Sequence, residues 1–482
     1  MEKKAQLVFI PLPFWSHLIP TIELAKLIAK HDHQRLSITV LLMKSPSMDS
    51  KLDSYVQSLA STSDAIITFI LLPCNYLSAE TNHRTTMTTF VESQKPHVKN
   101  AVAKLIGDSE SDHQIAGFVV DFMCTSMMDV AKELGLPTYV FSTASAGSVS
   151  LVFHLQALHD EHNIDFTEFK NDPRAELVLP SFVNPVPSCV LPDIMRNKTA
   201  FSLHIDYFRR IREEAKGILV NTFIELESHA VGSFSGSKFP PIYPVGPIVN
   251  LATNDENGSD STVIKWLDDQ PPTSVVFLCF GNLGSFIENQ VKEIARAIEN
   301  SGIRFIWSLR QRRSNDGSAA LGSYADDSTD VLPEGFLNRT AGMGKVIGWA
   351  PQAAILSHLA IGGFVSHCGW NSTLESLWYG VPIATWPLYG EQQVNAFALV
   401  RELGLAVEIK LDYYMVAESE NDQMVVSAQE IEAGISRVME KDSDTRMKVK
   451  EISENGKKAL MDGGSSYTSL DRLIDDIINN KP

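Results

Sequence analysis

Cysteine is scarce and unpatterned in this 482-residue chain: Cys74, Cys124, Cys189, Cys279 and Cys368 are odd in number, scattered and never spaced C-x-x-C. Neither a disulfide framework nor a zinc site is implied. Positive charge is also short. Lysine and arginine total 41 against 58 acidic residues, a net charge of −17, and such a field repels nucleic acid and anionic membrane. Apolar runs such as Ile66 to Leu72 and Val275 to Phe280 fall far short of the roughly 20 residues that span a bilayer. The basic and then apolar start is cut by Pro11 and Pro13 too early for a secretory leader, so it reads as a first strand and the expected address is the cytoplasm. No G-x-G-x-x-G follows that strand, which weighs against a nicotinamide-dependent oxidoreductase. Asp268-Asp269 and Asp475-Asp476 are adjacent pairs in predicted helices rather than a D-x-D metal motif and read as solvated surface. The Asn-X-Ser/Thr triplets at Asn197, Asn257, Asn338 and Asn371 would matter only in a secreted protein.

What the chain does have is the substance of a folded enzyme. Hydrophobic residues make up 44% and charged residues 21%, an ordinary globular balance, and the length calls for two domains. Short β-branched runs alternate with helical patterns: Leu7 to Ile10, Ser37 to Leu42, Ala65 to Leu72, Gly117 to Val120 and Thr138 to Phe141 predict a parallel α/β sheet. Proline and glycine then crowd Phe239 to Pro247, and an aperiodic polar stretch, Ala252 to Ser261, follows; the domain boundary belongs there. A second series comprises Ser274 to Phe280, Arg304 to Leu309, Lys345 to Ile347, Gly363 to Val365 and Pro382 to Thr385. The division is 1–247, a linker at 248–261, 262–460, and a C-terminal helix at 461–482 that docks back on the first domain. The polar insertions Gln311 to Asp330 and Asp412 to Gln423 read as surface loops, and Arg310, Arg312 and Arg313 as a solvated face beside acidic residues.

Ligands of open parallel sheets collect at the carboxyl ends of strands, where free backbone N–H groups face outward. Three turns qualify. Phe280-Gly281-Asn282-Leu283-Gly284-Ser285 suits a diphosphate, and equally a plain tight turn. Ser366 to Glu375 opens a helix, and Ser372 with Glu375 has the S-x-x-E spacing of a capping box. Capping does not explain His367, Asn371, Trp349 and Trp370 in a stretch that holds no lysine or arginine from Trp349 to Gln392. A phosphate site without cations must use backbone N–H groups, a helix N-terminus and histidine donors.

Trp349-Ala350-Pro351-Gln352, then His367-Cys368-Gly369-Trp370-Asn371-Ser372, Glu375 and Pro387-Leu388-Tyr389-Gly390-Glu391-Gln392 resemble the complete signature box of the plant family 1 UDP-glycosyltransferases. The resemblance extends over the whole chain, including Tyr-Pro-Val-Gly-Pro at 243–247. It implies the GT-B architecture, an α/β fold of two Rossmann-like doubly wound domains facing a cleft. It also implies that Trp349 stacks on uracil, Gln352 bonds the base edge and Glu375 holds the ribose hydroxyls. His367, Asn371, Ser372 and Ser285 would take the diphosphate, and Trp370, Glu391 and Gln392 the sugar, with Thr143 at a family position near it. An aromatic face suits a pyrimidine, carboxylates and amides suit vicinal hydroxyls, and neutral donors suit phosphate oxygens. Gln392 ending the box, with Trp370 in place of a basic residue, points to glucose rather than galactose or glucuronic acid. Asn282 stands where serine is common.

The third turn is Pro11-Leu12-Pro13-Phe14-Trp15-Ser16-His17, before the helix Leu18 to Lys30. A histidine there caps or packs a helix more often than it reacts, but a hydroxyl nucleophile needs a base that titrates near neutrality. The resemblance makes His17 that base and Asp121 its orienter; alone, Asp121 reads as a helix N-cap before Cys124 to Leu134. Glycines are usual just before the family histidine, whereas Phe14, Trp15 and Ser16 occupy this turn. If the backbone needs positive φ there, bulky residues are strained and the path differs; Phe14 or Trp15, with Tyr389, is expected to line the acceptor pocket.

The activity implied is an inverting O-glucosyltransfer from UDP-glucose to a hydroxyl of a small hydrophobic plant metabolite, a flavonoid, phenolic or terpenoid, giving a β-glucoside. UDP-glucose is a co-substrate, and neither a cofactor nor a metal ion is required. A monomer with no nucleic-acid partner is expected. The alternative is a UDP-sugar-binding pseudoenzyme without turnover. The acceptor loops, between Asn75 and Arg84 and between Glu161 and Ala200, carry no readable code.

Overall fold

The aliphatic runs early in the chain are apolar at nearly every position, which is how strands covered on both faces by helices read. In the computed structural model, Lys4–Ile10 (β1) is buried from its second residue on and Leu36–Leu42 (β2) throughout. The structure describes residues 3–45, 49–62, 67–73, 83–108, 112–172, 174–236, 239–250, 260–312, 324–325, 329–415 and 424–480. The chain divides into two units. Unit 1 comprises Met1–Phe166, Lys198–Ile248 and Lys458–Pro482; unit 2 comprises Thr167–Asn197 and Val249–Lys457. The stretch 167–197, read in the sequence as part of the first domain, therefore belongs to the second.

Unit 1 is a seven-stranded sheet completed by Ile67–Leu71 (β3), His113–Asp121 (β4), Thr138–Ser142 (β5), Gly217–Val220 (β6) and Ile242–Pro244 (β7). Its order is β3-β2-β1-β4-β5-β6-β7 and every pairing is parallel. The order reverses between β1 and β4, whose ends align Ile10 with Val120. Helix Trp15–His31 (α1) follows β1, and Ala146–His162 (α2) follows β5. Sequence reading missed β6 and β7, which are only four and three residues long. The second hid inside the Pro-rich boundary, where proline is tolerated because the strand lies at the sheet edge. The C-terminal helix Ser465–Asn479 buries Leu470, Leu473, Ile474 and Ile477 in the unit 1 core, each such burial stabilising by roughly 1.5–3 kcal/mol. His31 Nε2 lies 2.8 Å from Asp471, Arg35 donates to Asp475 at 3.1 Å, and Tyr243 Oη bonds Asp476. The Asp475-Asp476 pair is thus a docking contact and not merely solvated surface.

Unit 2 repeats the plan with Val275–Cys279 (β8), Arg304–Ser308 (β9), Gly344–Ile347 (β10), Ile361–Ser366 (β11), Ile383–Thr385 (β12) and Ala406–Glu408 (β13). The order is β10-β9-β8-β11-β12-β13, again all parallel. It reverses between β8 and β11, where Cys279 aligns with Ser366. Helices Glu288–Ser301 (α3) and Trp370–Trp378 (α4) follow those two strands. Of the first insertion only Gln311–Arg312, Tyr324–Ala325 and residues from 329 on are described, the two pairs forming a short antiparallel ladder. Arg313, residues 416–423 of the second insertion, residues 74–82 of the first acceptor loop, and 251–259 of the linker, Asn257 included, lie outside the described residues. No helix among the described residues is long and apolar enough to cross a membrane.

Candidate active site

Each sheet reverses strand order once between neighbouring strands that carry the singled-out turns, and such reversal points open the crevice where α/β sheets bind ligands. In unit 1, β1 leads to His17 and β4 ends on Asp121. His17 Nδ1 lies 2.8 Å from Asp121 Oδ2; the histidine side chain is 17% exposed and the aspartate fully buried. Asp121 Oδ1 meanwhile accepts the Met123 N–H at 2.9 Å, capping the 3₁₀ turn Phe122–Met127. Cap and orienter are therefore one residue using two oxygens. A carboxylate accepts only, so its partner must be Nδ1–H, which makes Nε2 the basic nitrogen.

Phe14 is the N-cap of α1 with extended backbone (φ −129°, ψ 138°), and its carbonyl accepts from His17 and Leu18 N–H. No non-glycine residue with positive φ among the described residues falls in this turn, so Phe14, Trp15 and Ser16 replace the usual glycines without backbone strain. Trp15 turns its ring edge to Tyr55, 5.3 Å between centroids, and packs on the unit 1 core. The ring beside His17 that sequence reading missed is Phe122, at 5.7 Å; its only signal was its place directly after Asp121. Thr143, buried, follows β5. The helix α2 behind it starts from Ser145, whose Oγ caps Ser148 N–H, and from Glu227, whose carboxylate accepts Ala146 and Gly147 N–H at 2.9 Å each. Burial pushes the Glu227 carboxyl up while these bonds pull it back down.

In unit 2 the capping reading of Ser372 and Glu375 fails, because α4 begins at Trp370 from Gly369 with no side-chain cap. Instead Gln352 Nε2 donates to Ser372 Oγ at 2.9 Å and to Glu375 Oε2 at 2.6 Å. Both amide hydrogens are thereby engaged, which turns the Gln352 carbonyl oxygen to the acceptor role. Burial raises the Glu375 carboxyl to about 7 against the lowering effect of the Gln352 bond. Trp349 is half exposed, 51%, an open aromatic face. Trp370, the first residue of α4, is buried.

His367 sits between the two glycine turns. A Cβ at Gly281 (φ +73°) would come within 2.5 Å of its Nε2, and one at Gly369 within 2.6 Å. Only glycine lets both turns approach the ring. Burial holds the imidazole at about 4, so it is neutral near pH 7, and its Nδ1 has no partner within the described chain. The turn is completed by Cys368 in the left-handed region (φ 62°), with its carbonyl held by Asn395 Nδ2 at 3.1 Å. Asn371 follows at the second helical position of α4. Ser285 N–H points at the Met415 thioether, 3.4 Å away, a neighbour the sequence did not reveal. Arg310, read as solvated, donates to the Asn282 carbonyl at 3.1 Å and so ties down the first glycine turn. Glu391 is the N-cap of the short helix Gln392–Phe397, and Gln392 Oε1 accepts Leu388 and Tyr389 N–H at 2.9 and 3.1 Å. Tyr389 lies 6.4 Å from the His367 ring.

The described residues hold no cluster of three or more His, Cys, Asp or Glu able to bind a metal ion. The chain thus presents, unit by unit, a carboxylate-backed histidine and a cation-poor donor loop set.

Known proteins match on both sequence and structure. Residues 240–426 match the family model described as UDP-glucoronosyl and UDP-glucosyl transferase. UDP-glucose flavonoid 3-O-glucosyltransferase 6 of Fragaria ananassa is 51% identical, over 99% of this chain and 99% of its own. A UGT transferase from Siraitia grosvenorii solved with UDP matches with TM-score 0.84 and 47% identity, covering 98% of this chain and 100% of the other. UGT71G1 of Medicago truncatula, solved with UDP-glucose, matches with TM-score 0.85 and 40% identity, covering 98% of each. The two Rossmann-like units carry the GT-B fold, and the chain belongs to the plant UDP-glycosyltransferases of the UDP-glucoronosyl and UDP-glucosyl transferase family.

Proposed function

We propose that this UDP-glycosyltransferase is an inverting O-glucosyltransferase that uses UDP-glucose and a flavonoid or related phenolic acceptor. The carrying observation is the 2.8 Å contact of His17 Nδ1 with buried Asp121, the arrangement a general base needs. His17 Nε2 takes the proton of the acceptor hydroxyl, and Asp121 stabilises the imidazolium that results. The freed oxygen forms a bond to the anomeric carbon as the bond from that carbon to the diphosphate oxygen breaks, and UDP leaves from the opposite face. A β-glucoside follows from an α-linked donor. The donor assignments of Trp349, Gln352, Glu375, His367, Asn371, Ser372 and Ser285 are supported by the open indole, the Gln352 network and the glycine-cradled neutral histidine. Developing charge on the leaving diphosphate meets preorganised backbone donors at the start of α4 and the His367 imidazole, so no step calls for a metal ion. Flavonoid is the acceptor class named for the Fragaria relative, and apolar Phe14 and Phe122 near His17 suit a planar aromatic ring.

The test incubates the purified protein and its His17→Ala variant with UDP-glucose and a panel of flavonoids, simple phenols and triterpenoids, reading hexose additions by mass spectrometry and anomeric configuration by NMR. β-Glucosides from the wild type, absent from the variant and unaffected by EDTA, are expected. UDP binding without any glucoside points instead to a donor-binding protein without turnover, and an α-glucoside overturns the single displacement.

A further inference from the structure

Residues 167–197, part of unit 2, were given no chemistry by sequence reading, yet they reach the loop assigned to the sugar. The Asp193 N–H donates to the Gly390 carbonyl at 3.0 Å. Gly390, between Tyr389 and Glu391, has φ +71° and open space where a Cβ would stand, so it is the freest joint of that loop. The same stretch is anchored by a second set of contacts. Tyr414 Oη lies 3.0 Å from the Cys189 carbonyl and 2.7 Å from that of Leu191. The Arg196 guanidinium covers the Tyr414 ring at 4.3 Å, and Glu402 accepts Val183 and Asn184 N–H at 2.8 and 3.1 Å. Directly after Tyr414, the Met415 N–H donates to the Leu388 carbonyl at 2.8 Å. The loop is therefore held from outside at residues 388 and 390, both holds meeting at the Tyr414 corner.

We propose that the segment 189–196 and Tyr414 form a brace that sets the position of Tyr389 to Gln392, making Asp193, through its backbone N–H, and Tyr414, through its hydroxyl, positioning residues for donor-sugar selectivity. The proposal rests on the reading above that Glu391 and Gln392 hold the sugar. Holding a loop by its backbone fixes where its side chains converge, and selectivity between sugars that differ at one hydroxyl depends on that placement.

Asp193 is the first residue of a helical turn and follows Pro192, whose ψ is 146°. Proline is accepted at that position and after that backbone, so Asp193→Pro removes the N–H together with the side chain, while Asp193→Ala keeps the N–H and removes only the side chain. Tyr414→Phe is the independent second variant, retaining the ring under Arg196. Each is tested for KM toward UDP-glucose and UDP-galactose, for UDP affinity by calorimetry, and for thermal stability. Loss of one hydrogen bond should raise KM for UDP-glucose about three- to tenfold in Asp193→Pro and Tyr414→Phe and shrink the glucose preference similarly. Asp193→Pro should exceed Asp193→Ala by that factor, and the affinity for UDP, which has no sugar, should stay within about twofold of wild type. The brace is overturned if Asp193→Pro matches Asp193→Ala, or if UDP affinity falls together with that for UDP-glucose. A wild-type protein that binds UDP-glucose no differently from UDP and makes no glucoside overturns the sugar-loop reading itself, and the brace with it.

Discussion

His17, in the first turn of α1 beyond β1, and His367, directly after β11, each lie just past a strand at the point where its sheet reverses order, and their surroundings differ sharply. His17 keeps 17% of its side chain exposed and faces the buried Asp121 carboxylate. His367 is 6% exposed, pressed between two glycines, and held at about 4 by burial. The one can accept a proton and carry the charge; the other stays a neutral donor. The residue type is the same, and what differs is what stands opposite the ring: a carboxylate or glycine backbone.

The comparison breaks first at the base. His17→Ala should lower glucoside formation about 100- to 10,000-fold while UDP still raises the melting temperature as in the wild type. Asp121→Asn should fall in the same range: an amide can donate to Nδ1, which moves the proton to Nε2 and blocks the basic nitrogen. Rates for Asp121→Asn near wild type would reduce Asp121 to its cap of the Phe122–Met127 turn. At the other histidine the matching change is Gly281→Ala. The positive φ of Gly281 alone penalises a side chain by roughly 1–2 kcal/mol, and the new Cβ, 2.5 Å from Nε2, must displace the imidazole. UDP affinity should drop about tenfold or more, as displacement of an aligned donor to a charged group costs on the order of 1.5–3 kcal/mol. Unchanged calorimetric affinity would remove His367 from the donor site.

The sheets and the chemistry-bearing turns were legible in the sequence because buried parallel strands are apolar throughout and their glycine-rich ends are distinctive. Ten strands were read within a few residues of their observed limits, whereas β6, β7 and β13, of four, three and three residues, were missed. The Ser372/Glu375 spacing was ambiguous: a capping box and a pair of groups on one helix turn look alike until the helix start is known, and here it lies three residues earlier than a Ser372 cap requires, at Trp370. Long-range contacts left no trace either. Nothing local to Asp193, Met415, Arg310 or Glu227 announces the carbonyl, hydroxyl or helix end that each one meets across tens to hundreds of residues.

A third, smaller effect sharpens the contrast by pH. Burial raises Glu375 from 4.5 to about 7, so the folded, ligand-free protein binds this proton more tightly than the unfolded chain does. Its contribution to stability is therefore full below pH 4.5 and lost as the pH rises through about 7. On the proposed contact of Glu375 with the ribose hydroxyls, which takes the carboxylate as acceptor, UDP-glucose binding expels the proton. Affinity should be about tenfold weaker at pH 6 than at pH 8, measured by calorimetry with UDP-glucose, whose diphosphate does not titrate in that range. Glu375→Gln should bind more weakly at pH 8 and lose this slope. If the slope survives in Glu375→Gln, the titrating group lies elsewhere and the Gln352–Glu375 pair is structural.

The smallest effects separate Phe14 from Trp15, the two bulky residues beside the base. Trp15 is committed to Tyr55 and the core, so Trp15→Ile should lower the melting temperature by roughly 2–6 °C and leave the acceptor range as it was. Phe14 has the opposite profile. Its backbone carbonyl, not its ring, supports the first turn of α1, and glycine at an N-cap costs only a few tenths of a kcal/mol, so Phe14→Gly should fold almost normally. With the ring gone, a wall of the space next to His17 opens, and relative kcat/KM between flavonoids and smaller phenols should move about two- to tenfold toward the larger acceptors, the span of a lost apolar contact. Should Trp15→Ile shift acceptor preference while Phe14→Gly does not, the indole rather than the phenyl ring faces the acceptor, and its contact with Tyr55 is a hinge of the pocket wall instead of an anchor in the core.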